Sequence, residues 1–267
     1  SFFVESEFRT LGYYLFKRYL TSPGYNFFFA TTCNEKSGPV WRAVGACGVP
    51  NSETEYILPL NIDVALAALL TKRISTPAAV RIARAIGSSV NPVVQLLAPR
   101  SKELTVEPCR DWDKLSALFL RHRSADQATT DRSAVFLQWR YAQNSPNYPT
   151  DIFLFRDKRG NEGWFSLGNI ARGRHGQVRG RVLLDAIWPQ NKMSFKKIFR
   201  TILRFTTDET DAIFFRPRRG INYRKCSARI IRRRLPGPQI FVFNPKGSTA
   251  PAVSSMDFVS ADGDSGF

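Results

Sequence analysis

The segment from Phe2 to Ala46 constrains this chain most, because it alternates element types in a short span and places a glycine where a helix opens. Phe2, Phe3 and Val4 form an apolar run that reads as a strand, Glu5-Ser6-Glu7-Phe8 reads as a turn, and Arg9-Thr10-Leu11-Gly12-Tyr13-Tyr14 opens an amphipathic helix. A second strand is expected over Tyr25 to Thr31 and a second helix between Asn34 and Ala46. The first turn of a helix leaves backbone N–H groups unpaired and carries the positive end of the dipole. Such a turn holds a phosphate or pyrophosphate when a glycine lets the backbone approach. Gly12 stands in that place, and Arg9 adds a fixed positive charge. The segment begins so abruptly that the fold it belongs to is expected to be incomplete here.

At 267 residues, with 43% hydrophobic content, the chain is long enough to bury cores in two domains. No apolar run approaches the roughly 20 residues needed to span a bilayer, and no charged-then-apolar leader is visible, so a cytoplasmic protein without a membrane span is expected. Cys33, Cys47, Cys109 and Cys226 are scattered without a C-x-x-C pair, and the two histidines lie far apart. That excludes a zinc ribbon and a disulfide framework, predicts no metal, and points to buried, reduced thiols. His122 and His175 each sit among arginines that disfavour an imidazolium, which argues against a histidine-backed nucleophile.

Organisation follows from punctuation. Residues 1–57 form the half domain, and 58–104 an Ala-rich helical connector. There Asp63 is expected to cap a helix through Val64, Leu66, Leu69 and Leu70, while Thr76-Pro77 opens another that Gly87 ends. Residues 105–245 alternate again. Helices are expected over Asp113 to His122 and Asp131 to Ala142, then an antiparallel meander of Ile152 to Arg156, Gly163 to Ala171 and Val178 to Trp188. A helix from Phe195 carries Ile198, Phe199, Ile202 and Leu203 on one stripe, and Ala212 to Phe215 reads as a buried strand. Arg229 to Arg234 and Gln239 to Phe243 read as a closing hairpin, and 246–267 as a poorly ordered tail.

These residues carry a family resemblance. Val4 to Leu20, V-E-S-E-F-R-T-L-G-Y-Y-L-F-K-R-Y-L, resembles the coenzyme A segment of the GNAT acyltransferase superfamily, Arg/Gln-x-x-Gly-x-Gly/Ala after a strand. Asn34 to Ala46 resembles that family's next motif, with Asn34, position 41 and Gly45 in register. Tyr14 stands where the family prefers Gly or Ala, and Trp41 where its usual general acid is Tyr. Phe136-Leu137-Gln138-Trp139-Arg140-Tyr141, the segment from Asn144 to Pro149 and the ending Asp262-Gly263-Asp264 resemble tandem GNAT proteins of bacteria. The resemblance implies an α/β (α+β) fold with mixed sheets, in which two GNAT-like domains stand in tandem, the first incomplete.

It further implies an N-acyltransferase, of acetyltransferase type, that moves an acyl group from acetyl-CoA or another acyl-CoA to an amine on a small molecule or sugar. Arg9, Thr10, Leu11, Gly12, Tyr13 and Tyr14 would bind the pyrophosphate, and Asn34 would orient the pantetheine arm or a helix end. No general base or acid is identified. The second copy opens its corresponding helix with Gln190-Asn191-Lys192-Met193-Ser194 and has no Arg-x-x-Gly, so it reads as a degenerate partner. A different reading is a non-catalytic tandem scaffold for RNA or DNA, and a related one is a Fem-like transferase that takes an aminoacyl-tRNA donor.

Charge keeps those alternatives open. The net charge is +17, and Arg216 to Arg234 contains nine Arg or Lys and no acid. The stretch is either a solvated basic face or a polyanion site, with Trp188 and Tyr223 available for stacking on bases.

Overall fold

Along Thr150–Arg156 successive apolar side chains serve two different cores, which is what a strand buried on both faces requires. Ile152 and Leu154 join one cluster while Phe153 and Phe155 join the other. The computed structural model describes residues 6–64, 67, 81, 85, 87, 89, 91, 102–124, 127–142, 150–172, 178–206, 209–218, 221–245, 252–259 and 262. The chain packs as two compact units, one of residues 1–53 and 234–256, the other of residues 54–233 and 257–267.

The larger unit is built on a mixed seven-stranded sheet. In chain order its strands are β3 (Thr54–Pro59), β4 (Thr105–Pro108), β5 (Thr150–Arg156), β6 (Glu162–Arg172), β7 (Val178–Ile187), β8 (Ala212–Phe215) and β9 (Ile231–Arg234). The spatial order is β4-β5-β6-β7-β8-β3-β9. β4 to β7 run antiparallel and β7 pairs with β8 in parallel. One face is covered by α5 (Phe195–Ile202), which buries Phe195, Ile198, Phe199 and Ile202 against Phe153, Phe165 and Phe215. The other is covered by α3 (Trp112–His122) and α4 (Ala134–Tyr141), which bury Leu115, Leu118, Leu137 and Tyr141 against Leu154 and Trp164. Both helices open on side-chain caps: Asp111 accepts from the Lys114 amide at 2.9 Å and Ser133 from the Phe136 amide at 3.3 Å. The second helix therefore starts three residues later than its periodicity suggested, because Asp131 is spent on the Ser133 amide at 2.8 Å.

The smaller unit contains α1 (Arg9–Leu20), α2 (Ser37–Ala43) and a three-stranded antiparallel sheet. Its strands are β1 (Phe28–Ala30), β2 (Cys47–Gly48) and β10 (Phe241–Phe243), in the order β1-β10-β2. A short 3-10 turn, Ser6–Phe8, runs directly into α1. The strand expected over Phe2 to Val4 lies outside the described residues.

Five expectations are corrected. Arg229 to Phe243 is not a closing hairpin, because β9 lies in the seven-stranded sheet and β10 in the three-stranded one. Two prolines flank Gly237, which has φ of 86°, and the chain beyond bonds elsewhere: the Leu235 amide donates to the Glu53 carbonyl at 2.6 Å and the Cys33 amide to the Gln239 carbonyl at 2.8 Å. Asp63 is not a cap but lies inside a helical turn, where its side chain accepts from Asn91 Nδ2 at 2.7 Å. Gly87 ends no helix; it is helical and permits a close crossing, since a Cβ there would fall 2.1 Å from the Asp63 Cα. The rest of the expected connector, including Thr76-Pro77, lies outside the described residues. In the tail, Met256 and Asp257 are buried and Asp262 is held by Arg132. Cys33 and Cys226 are buried as expected, but Cys47 is exposed. Among the described residues no helix is long and apolar enough to cross a membrane.

Candidate functional site

β7 and β8 pair over only Gly180↔Ala212, Arg181↔Ile213 and Val182↔Phe214. Beyond that point β7 continues along β6 while β8 runs out into Arg216-Pro217-Arg218. A bulge where Ser166 and Leu167 face β7 turns its next residues, adding to the divergence. The parting strands enclose a cavity of about 20 Å³, lined by Leu183, Asp185, Phe215, Arg216, Arg218 and Val259 among others. That is room for a water or two, or for the head of a small anion.

Buried charge surrounds it. Arg132, 3% exposed, donates from Nε to Asp185 at 2.6 Å and from Nη2 to Asp262 at 2.5 Å. Burial acts against its charge, but Asp185 and Asp262 outweigh that and hold the guanidinium protonated more firmly than usual. Thr130 donates to Asp262 and accepts from Arg132, closing the network. Tyr141, fully buried beside it, accepts from the Ser166 hydroxyl at 3.4 Å; burial first, then Asp185, raises its phenol well above the usual range.

Arg218 bridges the parting itself. Its Nη1 donates to the Ala186 carbonyl of β7, its Nε lies 3.2 Å from Asp257, and its guanidinium sits 5.1 Å from the Trp188 ring centre. Trp188 and Tyr223 are 4% and 3% exposed, so neither is a platform for bases, contrary to the sequence expectation. Tyr223 instead stacks on Phe215 at 5.2 Å and donates to the Arg216 carbonyl at 2.8 Å.

The residues expected at the coenzyme turn lie in the other unit, along the first turn and a half of α1. Arg9 and Thr10 begin the helix, Leu11, Tyr13 and Tyr14 are exposed, and Gly12 is buried on the face that also carries Phe16 and Leu20. Phe8 at the N-cap supplies no side-chain bond to the first-turn amides. Asn34 is engaged at the start of α2: its Oδ1 accepts from the Lys36 amide at 2.9 Å and the Ser37 amide at 3.0 Å. These bonds tie Asn34 to the start of α2. Trp41 packs edge-on to Phe16 at 4.9 Å between ring centres.

Within the basic stretch, Arg218 is committed to Asp257 and Arg233 to Glu55, while Arg224, Lys225 and all of β9 are exposed. Sequence reasoning did not assemble Arg132, Asp185 and Asp262, whose positions are far apart; the ending at Asp262 was the one available signal. Among the described residues no group of three or more His, Cys, Asp or Glu is placed to hold a metal ion.

Neither family models nor curated proteins match the chain. Among solved structures it is similar to a GCN5-related N-acetyltransferase from Anabaena variabilis ATCC 29413, with a TM-score of 0.54 at 11% identity. The match covers 90% of this chain and 52% of that one, so the chain spans about half the length of its structural neighbour. At this identity the likeness shows the fold: a mixed α/β fold of the GNAT type.

Proposed function

We propose that the chain is part of a tandem acyl-CoA-dependent N-acyltransferase whose donor binds at the start of α1. The carrying observation is the GNAT-type fold together with a helix whose first-turn amides receive no side-chain cap and whose outer residues Thr10, Leu11, Tyr13 and Tyr14 face solvent. The tandem reading draws support from an internal correspondence. β1, α2, β2 and then a strand given to the other sheet follow one another in the first half; β8, a 3-10 turn, β9 and again a strand given away follow in the second.

In this reading the amides of Arg9 to Leu11 take the pyrophosphate, Gly12 lets it approach, and Asn34 fixes the start of α2. An unprotonated amine attacks the thioester carbonyl, the C–N bond forms, the C–S bond breaks, and the coenzyme leaves as a thiol after proton transfer. The larger unit serves the acceptor side, because its own parting is bridged by Arg218 and its α5 is preceded by Gln190 to Ser194 without a glycine. A second reading, a binder of single-stranded RNA, draws on the four exposed residues of β9, three of them arginines.

Calorimetric titration of the intact chain with acetyl-CoA tests the first reading. Saturable binding is expected, weakened at least tenfold by Thr10→Asp, which a helix N-terminus tolerates but a pyrophosphate does not. Absence of heat and of any melting shift at millimolar acetyl-CoA would end it. Tight binding of poly(U) that weakens steeply with salt would move the assignment to the second reading.

A further inference from the structure

α1 meets its core with one narrow stripe. Gly12, Phe16 and Leu20, spaced by one helical turn each, turn inward, and Phe16 and Leu20 cluster with Phe28. A second apolar stripe is left over. The N-cap residue Phe8 and then Leu11, Leu15 and Tyr19 follow at the spacings that share one side of a helix, and each is 47–55% exposed. Tyr19 and Tyr25 both pack on Phe28, at 4.9 and 5.6 Å between ring centres, and Tyr25, 64% exposed, continues the patch beyond the helix end. α5, which also packs on its sheet by one stripe, turns Lys196 outward instead.

The border of the surplus stripe carries only positive charge. Tyr14 and Arg18 lie one turn apart along its outer side, Lys17 stands beyond them, all three are exposed, and α1 has no acidic residue. An exposed apolar patch rimmed by polar groups marks a surface for a protein or a membrane. Charge decides against a second copy, because the chain carries +17 and two such faces brought together would oppose Arg18 and Lys17 to their own kind. Nucleic acid would answer the cations but makes no use of Leu11 and Leu15. A bilayer with anionic headgroups answers both. Leucine and phenylalanine side chains enter the acyl boundary, tyrosine rings settle at headgroup depth, and lysine and arginine meet the lipid phosphates.

We propose that α1 is a membrane-surface element that lies in the plane of an anionic bilayer, with Leu11 and Leu15 inserted and Lys17 and Arg18 among the headgroups. The attachment is peripheral, since a helix of 12 residues is shorter than the roughly 20 that a bilayer core requires. The amides at the helix start point along its axis while the stripe runs down its side, so the proposal does not depend on the transferase reading.

Co-sedimentation of the intact chain with vesicles of phosphatidylcholine alone, and of phosphatidylcholine and phosphatidylglycerol in equal parts, tests it. The chain should bind the anionic vesicles about tenfold more tightly or better, and added salt should weaken the binding without abolishing it. Leu15→Glu should weaken it about tenfold or more and Arg18→Gln about fivefold, the share of one cation at such a surface. Leu15→Gln serves as the test should the glutamate variant fail to fold. Val135→Glu, at an exposed apolar residue of the larger unit, and Arg224→Gln, at an exposed arginine there, should bind as the wild type does. No binding of the wild type, equal binding to both kinds of vesicle, or equal loss in Leu15→Glu and Arg224→Gln would overturn the assignment. So would self-association without lipid, seen by sedimentation velocity and abolished by Leu15→Glu, because a second copy would then cover the stripe.

Discussion

The triads β1-β10-β2 and β8-β3-β9 are built from the same local order yet end in different states. β8 is buried at all four residues, with β7 along one edge and α5 driving Phe199 and Ile198 into the sheet. β1 is buried only at Phe28, and α1 ahead of it commits Gly12, Phe16 and Leu20 while leaving Leu11, Tyr13, Tyr14, Leu15 and Tyr19 exposed. The difference teaches that the triad is a unit the chain can complete twice, by handing a strand to each sheet, while the degree of burial depends on what lies beyond the first strand.

The largest effects should expose that contrast directly. Phe199→Ala, in a side chain with no exposed surface, should cost about 3–5 kcal/mol of unfolding free energy. Asp185→Ala should cost a similar amount, about 3–5 kcal/mol, because it leaves Arg132 as a buried charge with one of its two carboxylate partners. Tyr14→Ala on the corresponding helix α1, at 60% exposure, should change stability by less than about 0.5 kcal/mol. Urea unfolding followed by fluorescence measures all three. A loss for Tyr14→Ala as large as that for Phe199→Ala would mean that α1 is covered in solution and that the contrast is false.

A smaller contrast concerns glycine. In the larger unit a Cβ on Gly163 would lie 2.3 Å from the Ile187 carbonyl oxygen and 2.6 Å from the Phe155 ring, a clash with backbone that cannot yield. In the smaller unit Gly45 has open space around it, but its φ is 91°. Gly163→Ala should therefore cost about 1–3 kcal/mol through overpacking, and Gly45→Ala about 1–2 kcal/mol through left-handed backbone strain. Gly45→Asn separates the mechanisms, since Asn tolerates that region and should recover part of the loss, while Gly163→Asn should be worse than Gly163→Ala. Equal behaviour of the two asparagine variants would sink the distinction.

Legibility in the sequence followed the range of the interactions. β5, β6, β7, α5 and β8 could be read because periodicity and turn chemistry are local, and Ala212–Phe215 was read at its observed limits. The exchange of β3 and β10 could not, because nothing in Thr54–Pro59 names Phe215 as the partner of Tyr56. Pro236-Gly237-Pro238 looked like a hairpin turn because turn residues do not reveal which sheet each flank joins. The parting of β7 and β8 was hidden for the same reason: Arg132 meets Asp185 and Asp262 across 53 and 130 residues. Trp188 and Tyr223 stand as candidate stacking surfaces in one of two open readings because they lie near arginines in sequence; a buried aromatic beside a cation looks the same there.

The smallest expected effect is one of pH, and it too distinguishes the units, since residues 1–53 and 234–256 contain no histidine. His122 closes α3, with Nε2 at 3.1 Å from the Glu162 carbonyl. Burial lowers its pKa below the ordinary value, the Glu162 carbonyl opposes this, and Arg121 and Lys192 reinforce it. Between the lowered folded value and the unfolded value of about 6.5, the unfolded chain binds more protons, so stability rises with pH across that window. It is fully present above about pH 6.5 and is lost as pH falls through the folded value. The ring is substantially solvated, so the loss should stay under about 0.5 kcal/mol. The difference in urea midpoint between about pH 5 and about pH 7.5 should shrink in His122→Gln. If the variant keeps the full wild-type difference, the acid sensitivity resides in other groups and His122 is not its source.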